Sequence, residues 1–129
     1  MIIFLDDDSH RTKLFKQNIS PDIRQLVKTC KTAQECIELI EQAENVYILF
    51  LDHDLGGEVW VDSEREDCGM EVVRWIEVNQ PPIRQIIVHT MNDGAAYNMV
   101  KKLKAAQYNA VELPFETELL TNLQNGNLT

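Results

Sequence analysis

Three short polar clusters in this 129-residue chain each follow directly on a run that ends in at least three consecutive apolar residues. Asp6-Asp7-Asp8 follows Met1 to Leu5, Asp52-His53-Asp54 follows Tyr47 to Leu51, and His89-Thr90-Met91-Asn92 follows Ile83 to Val88. Two imidazoles in different protonation states can serve as acid and base near neutral pH. His53 stands between two carboxylates, whose charge favours imidazolium and suits it to the acid role, while His89, beside Thr90, suits the neutral base. On sequence alone these two assignments are interchangeable. Asp6, Asp7 and Asp52 offer hard oxygen ligands for a divalent ion, Mg²⁺ or Mn²⁺, and ligation by a histidine would shift the choice towards Mn²⁺ or Zn²⁺. A histidine held by metal is no longer free to move protons.

A phosphate about 5 Å from one carboxylate is opposed by roughly 3 kcal/mol at an effective dielectric of 20. A site with this many acids therefore needs a cation before it accepts an anion. Arg11 could supply a bidentate grip, and a metal would invert the sign more completely. Thr90 and Asn92 are expected either to line the anion site or to cap the helix that follows. His10 reads as a solvated first-turn residue and Asp8 as a loop acid or cap.

The elements that must position these residues follow from the hydrophobic pattern. Short apolar runs without alternation, bounded by charges, read as strands buried on both faces, as in the centre of a parallel sheet. Between them lie helical patterns. Ser9 is an expected N-cap for a helix carrying Leu14 and Phe15, and 23–27 reads as a short second strand. Thr32 to Glu35 has capping-box spacing ahead of a helix over 33–43. Gly69 opens an amphipathic stretch with Met70, Val72, Val73 and Ile76 inward, closed by Pro81-Pro82. A helix with Met99, Val100, Leu103 and Ala106 inward precedes a last strand over 109–113, then Pro114 and a final helix using Phe115, Leu119, Leu120 and Leu123.

This alternation predicts an α/β, flavodoxin-like fold: a five-stranded parallel sheet in the order 2-1-3-4-5 with helices on both faces. One domain is expected over 1–124, with 125–129 as a frayed tail. In that order the first, third and fourth strands are neighbours. Ligands bind beyond the carboxyl ends of such strands, so the three polar clusters share one rim.

The composition is 44% hydrophobic, enough for a core, and the net charge of −9 repels long nucleic acids and anionic membranes. A small anionic substrate is the expected partner. The longest apolar run falls far short of a membrane span and no signal peptide precedes Asp6, so a soluble, cytoplasmic protein is expected. Cys30, Cys36 and Cys68 lack CxxC spacing and read as buried or bystander thiols. The acidic stretch Gly56 to Asp67, containing Trp60, is long for a loop in a compact domain.

The paired acids after the first strand, Asp52 ending the third, Thr90 near the end of the fourth and Pro114 after the fifth resemble a response-regulator receiver domain. That resemblance implies Mg²⁺ held by the acids and a phosphoryl group accepted by Asp52. Such domains grip the phosphoryl with a lysine before the last-strand proline, and here Leu113 stands in its place. The segments Leu5-Asp6-Asp7 with Arg11, Leu51 to Gly56, Val88 to Asn92, Gly69 to Ile76 and 98–108 are similar to a narrower group, the cyclic-phosphate processing receivers. This second resemblance implies hydrolysis of a cyclic phosphate or cyclic nucleotide. His53, His89 and Asp52 would be catalytic, Arg11, Thr90 and Asn92 would bind substrate, and Asp6, Asp7 and Asp52 would hold metal. The competing expectations are a phosphoacceptor at Asp52 and a non-catalytic nucleotide-binding protein.

Overall fold

A computed structural model describes residues 1–58 and 60–115. The elements in order are β1 (Ile2–Leu5), α1 (Ser9–Gln17), α2 (Pro21–Arg24), β2 (Val27–Cys30), α3 (Ala33–Gln42), β3 (Val46–Leu51), α4 (Gly69–Asn79), β4 (Ile83–Val88), α5 (Asp93–Ala105) and β5 (Ala110–Glu112). All strand pairs are parallel and the sheet order is β2-β1-β3-β4-β5, as the alternating pattern predicts. The helix and tail expected beyond Phe115 lie outside the described residues. No helix among the described residues is long and apolar enough to cross a membrane.

The central strands are apolar on both faces because both faces are covered. Ile3, Leu5, Leu49, Leu51, Ile86 and Val88 pack with α3, α4 and α5 in one cluster. Ile2, Phe4, Ile48, Phe50 and Ile87 pack with Phe15 of α1 and with Ile19 in the other. Successive residues of a strand point to opposite faces, so each strand feeds both clusters in turn.

Two element assignments from the sequence shift. The second strand is Val27–Cys30 rather than 23–27, because Ser20 caps a helical turn with Pro21 at its start and its Oγ accepts the Ile23 N–H. β2 is an edge strand whose Lys28 and Thr29 are exposed, so it lacks the apolar signature of its neighbours. The N-cap of α1 is Asp8, not Ser9: its Oδ1 accepts the N–H groups of His10 and Arg11 at 2.8 and 3.0 Å. For α3 the capping-box reading holds at Thr32, whose Oγ1 accepts the Glu35 N–H at 3.1 Å, while Glu35 reaches back to the Lys31 N–H.

Candidate active site

Leu5, Leu51 and Val88 are in register across β1, β3 and β4. The next residue along each strand is therefore in one row: Asp6, Asp52 and His89. The ladder continues into this row, with the Asp52 N–H donating to Leu5 O at 3.2 Å and the His89 N–H to Leu51 O at 2.9 Å. All three side chains are buried, and one ligand atom from each lies within 4.8 Å of the others. By pleat parity they fall on the face of Phe4, Phe50 and Ile87, the α1 side of the sheet.

Asp6 is the most heavily bonded group in the row. Arg11 closes a bidentate pair on it, Nε–H to Oδ2 at 2.8 Å and Nη2–H to Oδ1 at 2.9 Å, and the Asp8 N–H adds a third bond to Oδ1 at 2.9 Å. The His89 ring faces Oδ2 through Nε2 at 3.2 Å. Burial alone would raise this carboxyl, but the bonds from His89 and Arg11 outweigh it and bring its pKa down to about 2. Asp52 goes the other way. Burial, with the adjacent Asp6 charge, pushes it up to about 6 against the attraction of His89 and Arg11. Two carboxylates one strand apart do not ionise with equal ease, and the one without the bidentate arginine takes the penalty. Arg11 in turn is held well above its usual range by Asp6.

Because the ionised Asp6 carboxylate can only accept, it fixes the tautomer of His89 with the proton on Nε2. Nδ1 is then the lone-pair nitrogen, and it is buried with no hydrogen-bond partner among the described residues. The ring is held in plane by Phe4, stacked at 4.8 Å with an interplanar angle of 8°. Asp52 Oδ2 is the second orphaned buried atom, 3.6 Å from Arg11 Nη2. Leaving such atoms unpaired costs on the order of 1–3 kcal/mol each, so their persistence in a buried row points to use rather than packing.

These residues open on a cavity of about 560 Å³ whose wall includes Asp7, Asp8, His10, Arg11, Asp52, Asp54, His89, Thr90, Met91 and Phe115. The structure thus brings His89, Asp52, Arg11 and Thr90 together. Asp7 lines the cavity but is not part of the buried three-residue group, because its Oδ2 accepts the Gly57 N–H at 2.6 Å. Of the residues expected to hold a metal, Asp6 and Asp52 fall in this buried group beside His89, and Asp7 falls outside it. Arg11 is not a free anion grip either: two of its N–H groups are committed to Asp6. Asn92 acts as the cap, its Oδ1 accepting the Ala95 N–H at 3.2 Å while its Nδ2 donates to Asp54 at 3.3 Å. His10, expected to be merely solvated, sits on the cavity wall.

The expectation that His53 shares this cavity with His89 is not met. His53 has 0% exposure and is not on the cavity wall. Its Nδ1 meets Asp54 Oδ1 at 2.7 Å and its Nε2 meets Ser63 Oγ at 2.9 Å. The reason is the period of two: Asp52 and Asp54 face the α1 side, so the residue between them faces α4. A residue the sequence did not single out, Ser63, thereby becomes its partner. Counting alternate residues back from the strand end would have separated His53 from Asp52.

Comparison with known proteins gives a family and a fold. The chain matches the family described as Cyclic-phosphate processing Receiver domain over residues 1–105. No curated protein matches it. Among solved structures it is similar to a response regulator from Colwellia psychrerythraea, at 20% identity and a TM-score of 0.64, covering 97% of this chain and 96% of that one. It is similar to an adenylate cyclase structure from Rhodopirellula baltica, at 18% identity and TM-score 0.61, with 98% and 85% coverage. The RcsB response regulator of Salmonella typhimurium follows the same fold at 18% identity and TM-score 0.54, with 97% of this chain and 59% of that one aligned.

Proposed function

Since the chain belongs to the cyclic-phosphate processing receiver domain family, we propose that it hydrolyses a cyclic phosphodiester in the cavity at the carboxyl ends of β1, β3 and β4. The observation that carries this reading is His89: a buried imidazole oriented by Asp6, with its other nitrogen unpartnered, on the wall of that cavity. An oriented imidazole of this kind is suited to take a proton from water. Asp52, raised to about 6, is suited to return a proton to the oxygen that leaves when the ring opens. Arg11 and Thr90 line the same wall; Thr90 is a proposed contact to the phosphate, and Arg11 contributes its charge, since its Nε–H and an Nη2–H are held by Asp6.

A divalent ion is compatible with this donor set. Asp6, Asp52 and His89 would hold it, each offering one ligand atom within 4.8 Å of the others; with the ion bound His89 would be a ligand and not the base, so the His89 proton transfer belongs to the metal-free site. When bound it would offset the surrounding carboxylates and polarise a phosphoryl oxygen. Purified protein is incubated with cyclic mono- and dinucleotides and with 2′,3′-cyclic phosphates, each with EDTA, Mg²⁺, Mn²⁺ or Zn²⁺. At least one linear product is expected. Intact substrate in every arm would sink the proposal.

A second reading rests on Asp52, a carboxylate on the wall of the same cavity, as the acceptor of a phosphoryl group. Leu113 stands where a receiver would place its lysine, and it packs against the core cluster of the α1 face. A phosphodonor arm separates the two readings. An acid-labile mass gain that disappears in Asp52→Asn, without turnover of cyclic substrates, would select the phosphoacceptor.

A further inference from the structure

The side of Asp54 turned away from the first cavity begins a second hydrogen-bonded line. Asp54 Oδ1 meets His53 Nδ1 at 2.7 Å, and His53 Nε2 meets Ser63 Oγ at 2.9 Å. The carboxylate cannot swing, because it also accepts the Trp60 N–H at 2.8 Å, the Val61 N–H at 3.0 Å and the Asn92 Nδ2–H at 3.3 Å. An ionised carboxylate accepts only, so Nδ1 carries the imidazole proton and Nε2 offers its lone pair to the serine hydroxyl. The imidazole is fully buried, whereas Ser63 is partly exposed.

Ser63 stands on the wall of a separate cavity of about 580 Å³, bounded by residues of α4 and α5. Arg74, Lys101 and Lys102 share that wall with Glu64 and Glu77. Arg74 is committed to Glu71 and to the carbonyls of Ser63 and Arg65, and Lys102 lies 3.8 Å from Glu77. Lys101 has no ion pair among the described residues and is the cation left to meet a ligand. Cys68 neighbours this line but is fully buried, its thiol donating to Arg65 O at 3.2 Å. Ser63 is the nucleophile of the line that can be reached from outside.

We propose that Ser63 is the nucleophile of a second site, taking the acyl group of a small anionic carboxylic ester, with His53 as base and Asp54 as its orienting group. Ser63 Oγ bonds to the carbonyl carbon as its proton passes to His53 Nε2. The ester C–O bond breaks and the departing alkoxide takes that proton. Water then attacks the acyl-serine, giving its proton to His53, and Ser63 Oγ leaves and is reprotonated, releasing the acid.

The test is a fluorophosphonate probe on the full chain, read by intact mass and peptide mapping. One adduct per chain, on Ser63 and at least tenfold faster than on Ser9 or Ser20, is expected. It should vanish in Ser63→Ala and slow at least tenfold in His53→Gln. Absence of a Ser63 adduct at excess probe overturns the proposal, as does labelling of Ser9 or Ser20 at an equal rate. Wild-type labelling speed in a His53→Gln variant that melts cooperatively also overturns it. Should that variant fail to fold, the comparison among the wild-type serines still decides.

Discussion

Asp6 and Asp52 are the same residue type on adjacent strands, yet their protons are held in opposite ways. Asp6, lowered to about 2, contributes stability that is fully present above the unfolded value of 3.8 and is lost as pH falls towards 2. Asp6→Asn should cost about 2 kcal/mol at pH 7 in urea denaturation of the metal-free protein, since one pKa unit is worth roughly 1.4 kcal/mol. Asp52, raised to about 6, has the opposite sign: its ionised form destabilises the fold above pH 6, and the penalty fades as pH falls to about 4. Asp52→Asn should therefore stabilise the metal-free protein by about 3 kcal/mol at pH 8, a gain absent at pH 4. Because the two groups share Arg11 and His89, the double variant should not be additive. His89→Gln keeps a donor for Asp6 but removes the free ring nitrogen, so turnover of the cyclic substrate should drop at least 100-fold with the melting curve little changed. A variant retaining wild-type turnover would assign the proton transfer elsewhere.

At the scale of elements, the start of α4 controls where the end of β3 lies. Gly69 donates its N–H to His53 O at 2.9 Å. A Cβ added there would drive into the Asp52 carbonyl oxygen and stand 2.9 Å from both the Asp52 carbonyl carbon and the His53 Cα. All of these are backbone atoms and cannot rotate aside. Gly69→Ala should therefore destabilise by about 3 kcal/mol and displace Asp52, lowering both melting temperature and turnover. By contrast Thr32→Ala removes only the N-cap of α3, which is not on the cavity wall, and should cost about 1 kcal/mol with turnover per folded molecule unchanged. The glycine was visible in the sequence as a helix opener, but its packing role was not, because the atoms it must clear belong to residues 52 and 53.

For the whole molecule, a net charge of −9 and a cavity walled by Asp7, Asp8, Asp52, Asp54 and Glu58 create a field that a small cation can relieve. Added Mn²⁺ should raise the melting temperature, by an amount equivalent to about 2.7 kcal/mol at a hundredfold excess over its Kd. Asp52→Asn and His89→Gln should each weaken that response. An unchanged melting curve in millimolar Mn²⁺ would leave Arg11 as the cation of the site. The sequence alone determined the strand order and the rim, but not the bounds of the edge strand β2, whose exposed Lys28 and Thr29 leave no apolar signature. Doubly buried strands favour apolar runs, and the ionisable residues come where a run ends, so strand ends and their acids are written in the linear pattern. Tertiary structure decided which rim residues meet. Pleat parity sends Asp52 and His53 to opposite faces, and strand register sets Asp6 beside His89. Both depend on pairing between segments distant along the chain, and neighbouring letters carry no record of it.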